Sequence, residues 1–116
     1  MSGTIVRISR GSFDPASLSR VQARLMDSER ELLPAIRGLR GCLHFYAAID
    51  GTSSAMINAS VWASLEDAKQ MDTLAPMLAL AAEFTRLGVR FERPILNFGV
   101  LWEFAPSQEA KLKPLV

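Results

Sequence analysis

The sequence is short of the residues that most often carry chemistry. Its 116 residues include one cysteine, one histidine and one tyrosine. A single thiol, Cys42, excludes an internal disulfide. Cys42 and His44 stand two apart on a predicted strand, so both should point the same way. Two potential ligands are too few for a metal site and no third stands out, so no metal and no cofactor is expected. The many serines include no G-x-S-x-G nucleophile elbow.

Charge of one sign is also lacking. Thirteen basic residues against twelve acidic ones leave a formal charge of +1. That is no electrostatic footprint for nucleic acid or an anionic membrane, and neither is expected as a partner. Long apolar runs are missing. No window approaches the ~18 uncharged apolar residues of a membrane-spanning helix. Residues 1 to 10 hold no apolar signal region, which makes the cytoplasm the expected location.

What is present is a globular composition, 49% apolar and 22% charged, enough for one domain. Thr4 to Arg10 is rich in β-branched residues and reads as a strand. Asp14 followed by Pro15 starts a helix, with a capping acceptor and then a residue whose fixed φ suits the first turn. Leu18, Val21, Leu25, Leu32 and Ile36 form its apolar stripe, and Pro34 should distort or end the last turn. Cys42 to Asp50 and Ala55 to Ala63 read as a hairpin around the turn cluster 50–54.

Ser64 resembles a capping-box start for a short helix to about Asp72. Pro76 restarts the helix, Leu80, Phe84 and Leu87 continue it, and Gly88 fits its left-handed end. A last strand lies within 95–104. The domain should occupy 1–105, with 106–116 as a C-terminal tail. The order β-α-β-β-α-β defines an α+β, ferredoxin-like fold: a four-stranded antiparallel sheet with both helices on one face.

Alternation along the strands then assigns the two faces. Val6, Ile8, Ile57, Ala59 and Val61 look like the face toward the helices. The opposite face would carry Ile5, Arg7, Ser9, His44, Tyr46, Met56, Asn58, Ser60 and Trp62. Such a face is too aromatic for water and too polar for a plain core. A second copy of the chain packing over it, with a ligand cavity between the sheets, resolves both problems. The chain is therefore expected to form a homodimer, a dimeric α/β barrel.

The passage Ala59-Ser60-Val61-Trp62-Ala63-Ser64-Leu65-Glu66-Asp67-Ala68 resembles the "-W-x-S-x-E-x-A-" junction of antibiotic-biosynthesis-monooxygenase-like (ABM) domains. In that family it joins the third strand to the second helix. Residues 34–42 are similar to the family's helix-glycine-strand junction. The resemblance spans roughly residues 4 to 104 and implies a dimeric α/β barrel. The family includes cofactor-free monooxygenases of aromatic polyketides, haem-degrading enzymes, lactone isomerases and members without known activity. Trp62 matches the tryptophan of the haem-degrading members. Their strand-one asparagine and second-helix histidine have no counterpart here, which argues against haem degradation.

The candidate catalytic residues are His44 as proton carrier, with Arg7 and Asn58 stabilising a developing oxyanion. Tyr46, Trp62 and Ser60 are the candidate substrate-binding residues. Each has a plainer reading: a bonded histidine, an interfacial tryptophan, Arg7 paired with Glu103 or another acid, a cross-strand asparagine. Two functions follow. One is a cofactor-independent monooxygenase, or a related isomerase, acting on a small aromatic molecule. The other is a non-catalytic dimer that binds a small molecule or a protein. Arg40-Gly41-Cys42 echoes an RNA-recognition signature, but it falls on the wrong strand and lacks the required aromatics.

Overall fold

The computed structural model describes residues 3–106. Of the expected tail, only Pro106 falls inside that range; the remainder lies outside the described residues. The strands are β1 (Ile5–Ser12), β2 (Cys42–Asp50), β3 (Ala55–Trp62), β4 (Arg90–Phe91) and β5 (Leu96–Gly99). The helices are α1 (Leu18–Asp27), α2 (Glu29–Arg37), α3 (Leu65–Ala68) and α4 (Ala75–Arg86). The sheet is antiparallel in the order β2-β3-β1-β4, and β5 shares the β1 edge with β4. This is the expected α+β, ferredoxin-like arrangement, and the sheet is open rather than closed.

Local chemistry explains most element ends. Asp14 accepts a hydrogen bond from Ala16 N at 2.8 Å and caps a 3₁₀ turn over Pro15–Ser17 that leads into α1. Ser64 accepts from Asp67 N at 3.0 Å and starts α3, which continues as a 3₁₀ segment over Lys69–Thr73. Gly88 closes α4 at φ +97°. Gly41 stands at φ +72°, and a Cβ there would overlap the Asp67 carboxylate, so both geometry and space demand glycine.

Two expectations about elements change. The first helix breaks at Ser28, not at Pro34, which sits inside α2. The fully buried Ser28 turns its hydroxyl back to Leu25 O at 2.6 Å, a bond that competes with the helical ladder. The last strand is divided. β4 precedes Arg93-Pro94, β5 follows, and residues 100–104 leave the sheet after Val100 N bonds Thr4 O at 2.9 Å.

The core lies between the helices and one sheet face. It holds Val21, Leu25, Leu32 and Ile36 from α1 and α2, Leu80 and Phe84 from α4, and Met56 and Trp62 from β3. On its outer side Arg24 ties the helices together, reaching Glu83 and Glu31 at 2.8 Å each. The hydrogen bond from Arg24 holds the Glu83 carboxyl below its ordinary value. A carboxyl lowered by folding stabilises the native state above the usual glutamate range of ~4.3, and that contribution is lost as pH falls through the lowered value. Arg24→Gln should therefore shrink the stability difference between neutral and acid pH, read from urea denaturation at both.

Candidate functional site

The strand register decides which residues meet. β1 pairs with β3 so that Ile5 faces Trp62, Arg7 faces Ser60, Ser9 faces Asn58 and Gly11 faces Met56. Paired residues share a face. This set points toward the helices: Arg7, Ser60, Met56 and Trp62 are all buried there. Val6, Ile8, Ile57, Ala59 and Val61 lie on the open face instead.

The expected assignment of β1 and β3 is thus reversed. Polarity alone favours the outer face for these residues, because burying them is unfavourable without partners. Here the helix layer supplies a partner and a cavity, and the β-branched residues are left outward. On β2 the assignment holds: Phe45 and Ile49 face the helices, while His44 and Tyr46 face out, opposite Val61 and Ala59. The expectation that Cys42 and His44 point the same way fails. A β-bulge between them turns Cys42 toward Trp62 on the helix side. Partial burial there pushes the Cys42 thiol up, away from reactive thiolate.

A cavity of about 380 Å³ lies between the sheet and the helices. Arg7, Ser9, Asn58 and Asn97 reach it from the sheet, and Leu25, Leu32, Met71, Met77, Leu80 and Phe84 from the helical side. Its size falls in the lower part of the usual range for small-molecule sites, ~300–1,000 Å³. Asp72, near the end of the 3₁₀ segment, and Arg93, after β4, also line it. Among the six candidate residues, Arg7 and Asn58 therefore come together. Ser60 and Trp62 lie in the adjoining core, where Trp62 Nε1 donates to Ser60 Oγ at 2.8 Å. Neither lines the cavity. His44 and Tyr46 stand on the far side of the sheet, their rings stacked at 6.2 Å.

Arg7 is 5% exposed, and its guanidinium donates to Asp72 Oδ1 at 2.6 Å. The partner is thus Asp72 and not Glu103, which is exposed beyond the sheet. One carboxylate oxygen satisfies one of five N–H donors. The Asn58 Oδ1 atom is buried and has no hydrogen-bond partner among the described residues. Asp72 was missed in the sequence because it looked like the end of a short helix. The available signal was Arg7 itself, since a buried guanidinium requires a carboxylate close by.

The fold is that of a ferredoxin-like α+β domain, shared with structures named for antibiotic biosynthesis monooxygenases. Solved structures with the same fold include a protein from Nitrosomonas europaea, with a TM-score of 0.68 and 13% identity over 90% of this chain and 97% of that one. Another, from Deinococcus radiodurans, has a TM-score of 0.67 and 13% identity over 89% and 98%. Both are provisionally named antibiotic biosynthesis monooxygenases. SnoaB, a cofactor-independent oxygenase from Streptomyces nogalater, is similar at a TM-score of 0.59 and 14% identity over 90% and 99%. At these identities the likeness is one of fold. No family profile matches the chain, and no curated protein matches it in sequence.

The Arg7–Asp72 pair makes an asymmetric prediction. Asp72→Ala strands a buried guanidinium and should lower stability by about 1–3 kcal/mol, the Asp72 side chain being half exposed. Arg7→Met replaces the charge with a thioether and should stay within ~1 kcal/mol of wild type. Urea denaturation of both single variants and the double variant separates the two effects, and the double variant should recover most of the Asp72→Ala loss.

Proposed function

We propose that this protein is a cofactor-independent monooxygenase of a small aromatic molecule held between sheet and helices, working as a homodimer. The observation that carries the reading is the buried Arg7 guanidinium and the unpartnered Asn58 Oδ1 reaching one cavity whose helical side is apolar. A flat, weakly acidic phenol or enol fits such a place. Its ring system takes the apolar walls, and its oxygen takes the charge and the amide.

The chemistry needs only the substrate and dioxygen. Arg7 lowers the free energy of the enolate, and Asn58 Oδ1 accepts a hydrogen bond from the un-ionised hydroxyl before its proton leaves. The proton leaves toward Asp72, the one carboxylate among the lining residues. The carbanionic carbon of the enolate reduces O₂ and forms a C–O bond, and protonation gives the hydroperoxide. Loss of the remaining hydrogen from that carbon with cleavage of the O–O bond leaves a ketone and water. A CH₂ group and O₂ thus become a C=O group and H₂O. The proton-carrying role expected of His44 passes to Asp72, because within one protomer the sheet separates His44 from the cavity.

The outward face supports the dimer. Val6, Ile8, Ile57 and Val61 share it with Tyr46, Leu96 and Phe98, of which the last three are about half exposed. Beyond β5, Leu101 and Trp102 are 90% and 84% exposed. Apolar surface of this extent marks an interface. A second copy laid face to face would cover it and place the His44–Tyr46 stack between two sheets.

Oxygen uptake with anthrone and quinol substrates tests the catalytic reading. The expected result is consumption of substrate and O₂ in equal amounts, with kcat/KM reduced ~100-fold in Arg7→Met. Absence of uptake across the panel, or equal rates in Arg7→Met, overturns it. Binding without uptake would instead support the non-catalytic binding protein. Tyr46→Lys, at an exposed position, should convert a dimer into a folded monomer in sedimentation velocity; an unchanged sedimentation coefficient counts against the sheet-to-sheet dimer.

A further inference from the structure

The charges around the cavity do not cancel. Among the described residues three charged ones line it: Arg7, Asp72 and Arg93. Arg7 and Asp72 pair with each other. The acid next to Arg93 in sequence, Glu92, is taken by Arg10 across the β1–β4 edge. Arg93 itself is exposed and has no carboxylate partner among the described residues. Its guanidinium sits 5.2 Å from the centre of the Phe91 ring, and its Nη1 donates to Glu92 O at 3.2 Å. The ring and the carbonyl hold the guanidinium near Phe91, and these two contacts leave other N–H donors for a ligand. Pro94, the next residue, lines the same cavity.

We infer that the cavity takes an organic anion: a planar aromatic molecule bearing a carboxylate, bound with that carboxylate on Arg93 at the rim and its ring system in the apolar interior. This rests on the cavity being the ligand site proposed above, and it adds the chemical class of the ligand. A guanidinium matches a carboxylate with two parallel donors. A neutral ring system would leave Arg93 unpaired and gain nothing from it. The same charge at the rim favours entry of anions over cations. Arg93 is a specificity residue, and it takes no part in the oxygen chemistry assigned to Arg7 and Asn58.

The test compares naphthoate with naphthamide, which share shape and differ in charge, by fluorescence titration. The wild type should bind naphthoate about tenfold more tightly, the gain of one charge-assisted contact. Arg93→Gln should bring the two probes within about twofold of each other while leaving naphthamide affinity and the thermal midpoint unchanged. Equal binding of both probes by wild type, or a preference that survives in Arg93→Gln, overturns the inference. Ala81→Trp, which fills the cavity from α4, separates this from failure of the underlying reading. If that variant binds both probes as wild type does, the cavity is not the ligand site at all. If it binds neither and Arg93→Gln keeps the preference, the cavity stands and only the role of Arg93 falls.

Discussion

The Arg7–Asp72 ion pair is the constraint around which the cavity is organised. A guanidinium 5% exposed beneath a helix layer is expensive to bury, and a single carboxylate at 2.6 Å offsets that burial only in part. Two consequences follow in the structure. The 3₁₀ segment carrying Asp72 must sit over the sheet between α3 and α4, which sets where α4 begins. The strands on either side place Ser60 and Asn97 opposite Arg7 in register, so polar residues flank it in the sheet. A cavity with polar groups on its sheet side and apolar groups on its helix side is the result.

Parity carries this arrangement through the sheet. Side chains alternate strictly along a strand, so placing Arg7 inward also places Ser9 inward and Val6 and Ile8 outward. The antiparallel register then imposes the same phase on β3, with Asn58 and Ser60 inward and Ile57 and Val61 outward. The outward apolar residues of β1 and β3 and the inward Arg7, Ser9, Asn58 and Ser60 are therefore a single fact. The proposed dimer and the proposed ligand site depend on it together, one using each face.

The β-bulge at the start of β2 is the local exception that makes this consistent. Without it Cys42 and His44 would share a side. With it Cys42 pairs across to Trp62 within the core, while His44 and Tyr46 stack on the outer face. The sole histidine of the chain stands on the face away from the cavity, and among the described residues the only carboxylate lining the cavity, Asp72, comes from the 3₁₀ segment after α3.

Local signals in the sequence determined the elements and their order. Asp14-Pro15, Ser64, Pro76 and Gly88 act within a turn of themselves, through capping bonds and backbone preference, and so they are readable from neighbouring residues alone. Arg7 and Asn58 were also readable as a pair on one face, because alternation and antiparallel order are properties of the strands. Only the tertiary structure decided which face that is. Polarity suggested the outside, and the deciding partner, Asp72, lies sixty-five residues away on another element. The same reason hid the placement of Cys42: a bulge shifts phase by one residue, and its position depends on how β2 meets β3, which no pattern along β2 records.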